Sequence, residues 1–285
     1  MGKAAFVLIA LILLSGCTDP DWSFPTGYDS FTAAQGYDTS GCDSYLRVAA
    51  VSMRSEKSDK AKNLDSIKTA VERIKGLEHP DTDVIVFHEL CTSWLTDSGD
   101  PAAYFASAAE TVPGPSTDFV SALAALHDVT IVFGMAEKDG SNYYNSQVCA
   151  KPDGQLVTYR KRGLNEGDIA NGCTPGESVV VTDIRGIAVT FAICSDYQSE
   201  TVIRDISRSK ASVVLMSLVT TTILNSKVDY FTRAVSKWVV YANGGGANFG
   251  GTYPGNIFVA DPTGAVHDAQ SGPESYSWFR IGVYR

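Results

Sequence analysis

The sequence predicts an α/β fold, a single domain built around a mixed sheet. Three observations predict it. Short unbroken apolar runs, such as 84–87 (VIVF) and 212–218, read as strands buried on both faces. In the first half of the chain these runs alternate with segments of helical period. In the middle, paired strand signals flank tight turns, and no break in composition divides the chain after residue 45.

The first residues stand apart from that fold. Lys3 precedes an apolar stretch over residues 4–14 (AAFVLIALILL), which is shorter than the ~20 residues a bilayer span needs. This is the pattern of a secretory signal peptide over residues 1–16. Leu14-Ser15-Gly16-Cys17 follows and resembles the lipobox of bacterial lipoproteins, whose cysteine carries the lipid. The expectation is an exported protein, lipid-anchored through Cys17 to a bacterial cell membrane on its periplasmic or cell-surface side. An ordinary signal peptide with an incidental cysteine is the alternative. Residues 17–44 are rich in Asp, Ser, Thr, Gly and Pro and read as a lipidated N-terminus and tether. The globular domain then covers residues 45–285.

Within that domain, 46–53 (LRVAAVSM) is a short apolar strand. Leu64, Ile67, Val71 and Ile74 recur at helical spacing with charges between, an amphipathic helix. The strand at 84–87 delivers Glu89 just past its end. A helix over 102–110, a Pro-Gly-Pro break and a second helix over 117–127, capped by Ser116 or Thr117, come next. Residues 129–134 form a strand. Segments 143–150 and 156–160 flank Lys151-Pro152-Asp153-Gly154, a hairpin signal, and 179–182 and 187–194 flank a second. After the strand at 212–218, residues 231–242 read as a helix leading into Asn243 and a glycine-rich turn. Strands at 257–260 and 279–284 close the chain.

The formal net charge is −9, with no run of basic residues. Nucleic acid and anionic lipid reward Lys/Arg patches, so neither is an expected partner. The six cysteines show no Cys-x-x-Cys or Cys/His spacing that suits zinc. Cys42, Cys91, Cys149 and Cys173 are open to disulfide pairing in an oxidising compartment, or are scattered thiols.

Three polar residues stand where strand physics does not ask for them. Glu89 and Cys194 each follow a buried strand, and Lys161 closes the strand LVTYR. Strand ends are where open α/β sheets bind ligands. Taken singly, each residue has an ordinary structural use. Together the types suit attack on an amide. A thiol reacts as its thiolate. A carboxylate among apolar neighbours has a raised pKa and can take that proton, then return it to the leaving amine. An ammonium can stabilise the oxyanion, with the backbone N–H of Ser195 as second donor.

At these residues the chain resembles the nitrilase, or carbon–nitrogen hydrolase, superfamily. LRVAAVSM, NLDSI and DVIVFHEL look like the family's opening, where a strand ends in a catalytic Glu before Leu. YRKRGL is similar to its lysine motif, and GIAVTFAICSD to its nucleophile hairpin. RAVSKWVVYAN and IFVADPTG resemble its closing elements. The resemblance implies an αββα sandwich that associates as a homodimer or larger homo-oligomer. It implies hydrolysis or acyl transfer through a thioester, with no metal and no cofactor. Carried over, Glu89 is general base and acid, Lys161 the oxyanion-stabilising cation and Cys194 the nucleophile. Glu166 is the candidate for the family's second acid, with Asp168 in reserve. Gly163, Ser195, Gln198 and Ser236 depart from the family's usual residues, which leaves the substrate subfamily open.

The resulting expectation is an extracytoplasmic hydrolase of small or peptide-like carboxamides that releases ammonia or an amine. An amide-forming acyltransferase on the same triad, and a catalytically inactive surface binding lipoprotein, are the alternatives.

Overall fold

A computed structural model describes residues 32–33, 41–95, 99–221, 226–248 and 251–283. The expected signal peptide, the Cys17 site and most of the tether lie outside these residues. In chain order the elements are β1 (Thr32–Ala33), β2 (Ser44–Ser52), α1 (Lys60–Arg73), β3 (Val84–Val86), α2 (Pro101–Ala108), α3 (Pro115–His127), β4 (Thr130–Asp139), β5 (Asn142–Ala150) and β6 (Leu156–Arg160). They continue as α4 (Glu166–Ala170), β7 (Val181–Ile184), β8 (Ile187–Ile193), α5 (Glu200–Arg208), β9 (Val213–Leu218), α6 (Ser226–Val235) and β10 (Trp238–Asn243). Last come β11 (Gly245–Asn248), β12 (Gly251–Pro254), β13 (Ile257–Ala260), β14 (Ala265–Gln270) and β15 (Ser275–Val283).

Two mixed sheets carry the fold. One runs β15-β2-β3-β4-β5-β6 and the other β1-β14-β13-β10-β9-β8-β7, with β11 and β12 a separate ribbon. At the heart of each, three strands are parallel: β2, β3 and β4 in the first, β8, β9 and β10 in the second. Alternation along β2 explains the layering. Leu46, Val48 and Ala50 join Val189, Phe191 and Leu215 of the other sheet in one core. Ala49 and Val51 instead join Ile67 and Val71 of α1 and Val120 of α3. Val202 and Ile206 of α5 and Phe231 and Val235 of α6 belong to the core of the second sheet. The layers are therefore helix, sheet, sheet, helix, and both faces of each sheet centre are dry. Each such aliphatic side chain contributes about 1.5–3 kcal/mol by leaving water.

The expected elements appear with four corrections. The helix expected over 231–242 is two elements: α6 stops at Val235, Ser236 takes φ 52°, and β10 begins at Trp238. Three consecutive core positions, Trp238–Val240, suit a strand covered on both faces better than a one-sided helix. Helix α3 starts earlier than expected, with Gly114 as cap and Pro115 in the first turn, a position its fixed φ suits. Thr117 acts from inside the helix, its Oγ1 accepting from the Gly114 N–H at 2.7 Å. Strand β4 runs on to Asp139 and turns through Gly140, at φ 59°, into β5. Helices α4 and α5 and strand β14 were not anticipated, although Val202, Ile203 and Ile206 of α5 recur at helical spacing.

Cys42, Cys91, Cys149 and Cys173 are thiols, and no disulfide joins the described residues. No helix among those residues is long and apolar enough to cross a membrane.

Candidate active site

Glu89 stands three residues beyond β3, where the backbone turns sharply. Leu90 adopts φ 48° and the loop crosses β4 at Gly134. A Cβ on Gly134 would lie 2.4 Å from the Leu90 nitrogen and 2.6 Å from the His88 carbonyl oxygen, so only glycine permits the crossing. The buried His88 ring braces this loop. Its Nδ1 lies 2.8 Å from the Glu89 carbonyl oxygen and its Nε2 lies 3.1 Å from Ser55 Oγ. Burial lowers its pKa to about 4, so the ring is neutral near pH 7.

Lys161 follows β6 directly. Its N–H donates to the Asn145 carbonyl at 2.9 Å and its own carbonyl accepts from Gly176 at 2.8 Å. Cys194 follows β8 and opens a 3-10 turn over Cys194–Gln198, with φ 41° at the cysteine itself. The buried Asp196 ties these two segments together. Its carboxylate accepts from the Ile193 N–H at 2.8 Å, the Tyr159 hydroxyl at 2.8 Å and the Gly163 N–H at 2.6 Å. Ser195 Oγ adds a bond to the Gly163 carbonyl at 2.5 Å. Gly163 fits because any Cβ would press on Asp196 and Ser195 at 3.1 Å.

The charged centre is compact. Lys161 Nζ lies 2.9 Å from Glu89 Oε1 and 2.7 Å from Asp168 Oδ2, and the three side chains are 0 to 5 % exposed. Asn145 Nδ2 donates to Glu89 Oε1 at 2.7 Å and to Asp168 Oδ1 at 3.0 Å. Glu89 Oε2 accepts from the Val219 N–H at 3.2 Å, just past β9. Burial holds the Glu89 carboxyl above its ordinary range, and the Asp168 charge pushes the same way. Lys161 and the Asn145 amide oppose both.

Sheet register brings Cys194 to the same end of the two sheets. Ile193 pairs with Ser217, whose Oγ donates to the Phe87 carbonyl at 2.8 Å. Cys194 is one residue past Ile193 and Glu89 two past Phe87, so both project from one end of the stacked sheets.

One expectation needs correcting. Glu166 is exposed and faces away from the cluster, whereas Asp168 is buried within it. The reason is helix α4. Asn165 caps it, its Oδ1 accepting from the Asp168 N–H at 2.9 Å while Asp168 Oδ2 accepts from the Asn165 N–H at 3.0 Å. This capping box turns position 168 inward and position 166 outward. The buried Cys91 thiol, two residues past Glu89, donates to the Gly134 carbonyl at 3.4 Å, and burial pushes its pKa up to about 12.

Sequence reasoning missed Asn145. A signal existed, because Asn145 and Gln147 occupy alternate positions of a strand that is otherwise well covered, and both are buried.

Residues 47–276 match a family model described as carbon-nitrogen hydrolase. An (R)-stereoselective amidase of Pseudomonas sp. is 27 % identical over 172 residues, 60 % of this chain and 60 % of the relative. An omega-amidase of Xenopus laevis is 32 % identical over 142 residues, 46 % of this chain and 50 % of the relative. The chain thus spans 50 to 60 % of the length of these curated relatives. Among solved structures, an amidase from Nesterenkonia sp. superposes with TM-score 0.71 at 18 % identity, covering 83 % of this chain and 90 % of that one. A nitrilase-superfamily member of Saccharomyces cerevisiae reaches TM-score 0.73 at 20 % identity, covering 88 % and 93 %. At these identities the structural likeness concerns the fold.

Proposed function

Because this chain belongs to the carbon–nitrogen hydrolase family, we propose that it hydrolyses carboxamides through a thioester on Cys194. The observation that carries this reading is the contact of a buried carboxylate and a buried ammonium, Glu89 and Lys161, at 2.9 Å beside the end of β8. Neither charge is accounted for by solvent or by surface pairing, and removing two charges from water is costly unless they are used.

The steps follow from the groups. Glu89 takes the Cys194 proton, and the thiolate adds to the amide carbon. The oxyanion lies between the Lys161 ammonium and the Ser195 N–H, near the start of a 3-10 turn, where the first N–H groups have no partner within the turn itself. Glu89 returns the proton to nitrogen as the carbon–nitrogen bond breaks, and ammonia or an amine leaves. Water, deprotonated by Glu89, then cleaves the thioester to a carboxylic acid and the free thiol. Asp168 holds Lys161 from the side opposite Glu89 and fixes its position.

The substrate class is a small or peptide-like carboxamide. A Glu-to-Gln mutant of the similar Nesterenkonia amidase carries the acetamide moiety of fluoroacetamide on its active-site cysteine, which supports a nucleophilic thiol at Cys194 here. Cys194→Ala should lower ammonia or amine release from an amide panel by on the order of 10⁴-fold or more, with an unchanged circular-dichroism spectrum. Mass spectrometry should find an acyl adduct on Cys194 of the parent protein. Turnover retained in the folded variant would refute the assignment.

The same reading places the enzyme outside the cytoplasm on a lipid anchor. It rests on Lys3, the apolar stretch and Leu14-Ser15-Gly16-Cys17. Cells expressing Cys17→Ser should fail to incorporate labelled palmitate into the protein and should release it from the membrane fraction. Label persisting on that variant would sink the anchor.

A further inference from the structure

Asn145 has a hydrogen-bonding pattern that packing alone does not explain. Both N–H groups of its amide are used on carboxylates, Glu89 Oε1 at 2.7 Å and Asp168 Oδ1 at 3.0 Å. Its Oδ1 is buried and has no hydrogen-bond partner among the described residues. Turning the amide over gives no relief, because its oxygen would then face two carboxylate oxygens. The orientation is therefore fixed by charge, and the fold carries an unpaired buried acceptor as the consequence, which is destabilising. The backbone of Asn145 is equally committed. Its carbonyl accepts from the Lys161 N–H at 2.9 Å, and it sits opposite Ala136 in the β4–β5 ladder. One residue on a rigid strand thus touches Glu89, Lys161 and Asp168.

The two oxygens of Glu89 are left unequal. Oε1 receives Lys161 at 2.9 Å and Asn145 at 2.7 Å. Oε2 receives only the longer bond from Val219, at 3.2 Å. Charge is concentrated where donors are strongest, so Oε2 keeps the lone pair with least competition. Val219 follows β9, the strand beside β8, so the donor to Oε2 comes from the same sheet as Cys194.

We propose that Asn145 is a positioning residue, whose amide nitrogen holds the Glu89 and Asp168 carboxylates in place around Lys161 and leaves Glu89 Oε2 as the oxygen that takes and returns the proton. The proposal rests on the amide-hydrolysis reading above and adds a residue to it. The groups around Glu89 are Lys161 from the end of β6, Asp168 from α4, Cys173 from the loop after α4 and the neutral His88 on its own loop, with Cys194 following β8 at the same end of the sheets. Of these only Lys161 is a cation, so losing the Asn145 donor leaves Glu89 with less opposition to burial and to Asp168. The direction is upward: the Glu89 carboxyl should hold its proton to higher pH.

The test uses two variants that remove the donor and add no charge, Asn145→Leu and Asn145→Ala. In protein labelled at the Glu carboxyl carbon, the Glu89 signal is assigned by its absence in Glu89→Gln and is titrated by NMR. In either variant the midpoint should rise by about one to two pH units, the worth of one hydrogen bond to a charged acceptor. The acid limb of kcat/KM should move by the same amount, with KM nearly unchanged. Asn145→Ala carries the test if Asn145→Leu does not fold. A folded variant whose Glu89 midpoint and acid limb stay at the parent values overturns the proposal and leaves Asn145 a packing residue. If the parent protein releases ammonia from no amide, the hydrolase reading fails, while the NMR midpoint still decides what Asn145 does to Glu89.

Discussion

Glu89 is a carboxylate almost wholly out of water, with a second carboxylate on the far side of its ammonium partner. Its pKa is raised, with burial as the largest cause. The folded protein therefore binds a proton at Glu89 more tightly than the unfolded chain, whose Glu titrates near ~4.3. Whatever stability that proton confers is complete below the unfolded pKa and is lost as pH rises through the folded pKa. Above that folded pKa the ionised Glu89 is accordingly a burden on the fold. Glu89→Gln keeps the shape, and Lys161 keeps Asp168 at 2.7 Å. The melting temperature of the variant should gain on that of the parent as pH rises from 4 to 8, while amide turnover falls by about 10²–10⁴-fold. Thermal melts across that range check this, and a difference that does not widen with pH would count against it. The same scale shows what sequence could reveal. Glu89, Lys161 and Cys194 were legible because each breaks the apolar pattern at a strand end. The second acid was not, because Glu166 and Asp168 lie two residues apart in a loop, and only the capping box of α4 decides which one turns inward.

Elements place these side chains by close backbone contact as much as by packing. The Glu89 loop passes over β4 at Gly134, where the nearest backbone atom would be 2.4 Å from any Cβ. Gly134→Ala forces backbone to move, since no side chain can rotate away. It should cost about 3 kcal/mol and should displace Glu89 from Lys161, so that residual folded protein has a lower kcat. Urea unfolding together with kinetics at a permissive temperature measures both, and full activity with full stability would contradict the crossing. Elements also explain the helix misread over 231–242. The apolar residues of α6 run into those of β10 with only Ser236 and Lys237 between, so one helical reading covers both. The break is conformational, a left-handed Ser236 at φ 52°, and serine does not announce it as glycine would.

Across the whole molecule, neither sheet holds the site alone. Glu89, Asn145 and Lys161 come from the six-stranded sheet, and Cys194 and Val219 from the seven-stranded one. The alternation of strands and helices made the α/β class legible, and the order of the motifs gave the layers. Pairing was beyond reading, because partners such as β2 and β15 lie at opposite ends of the sequence. That pairing has a consequence of its own. Strand β2 lies between β3 and β15 and is matched to β15 along its whole length, from Ser44↔Val283 to Ser52↔Ser275. As the ribosome makes the chain, β2 waits with one bare edge until β15 has been synthesised. An exposed strand edge invites mispairing, so the nascent chain depends on chaperones for that interval, and completion of the six-stranded sheet is deferred to the emergence of β15.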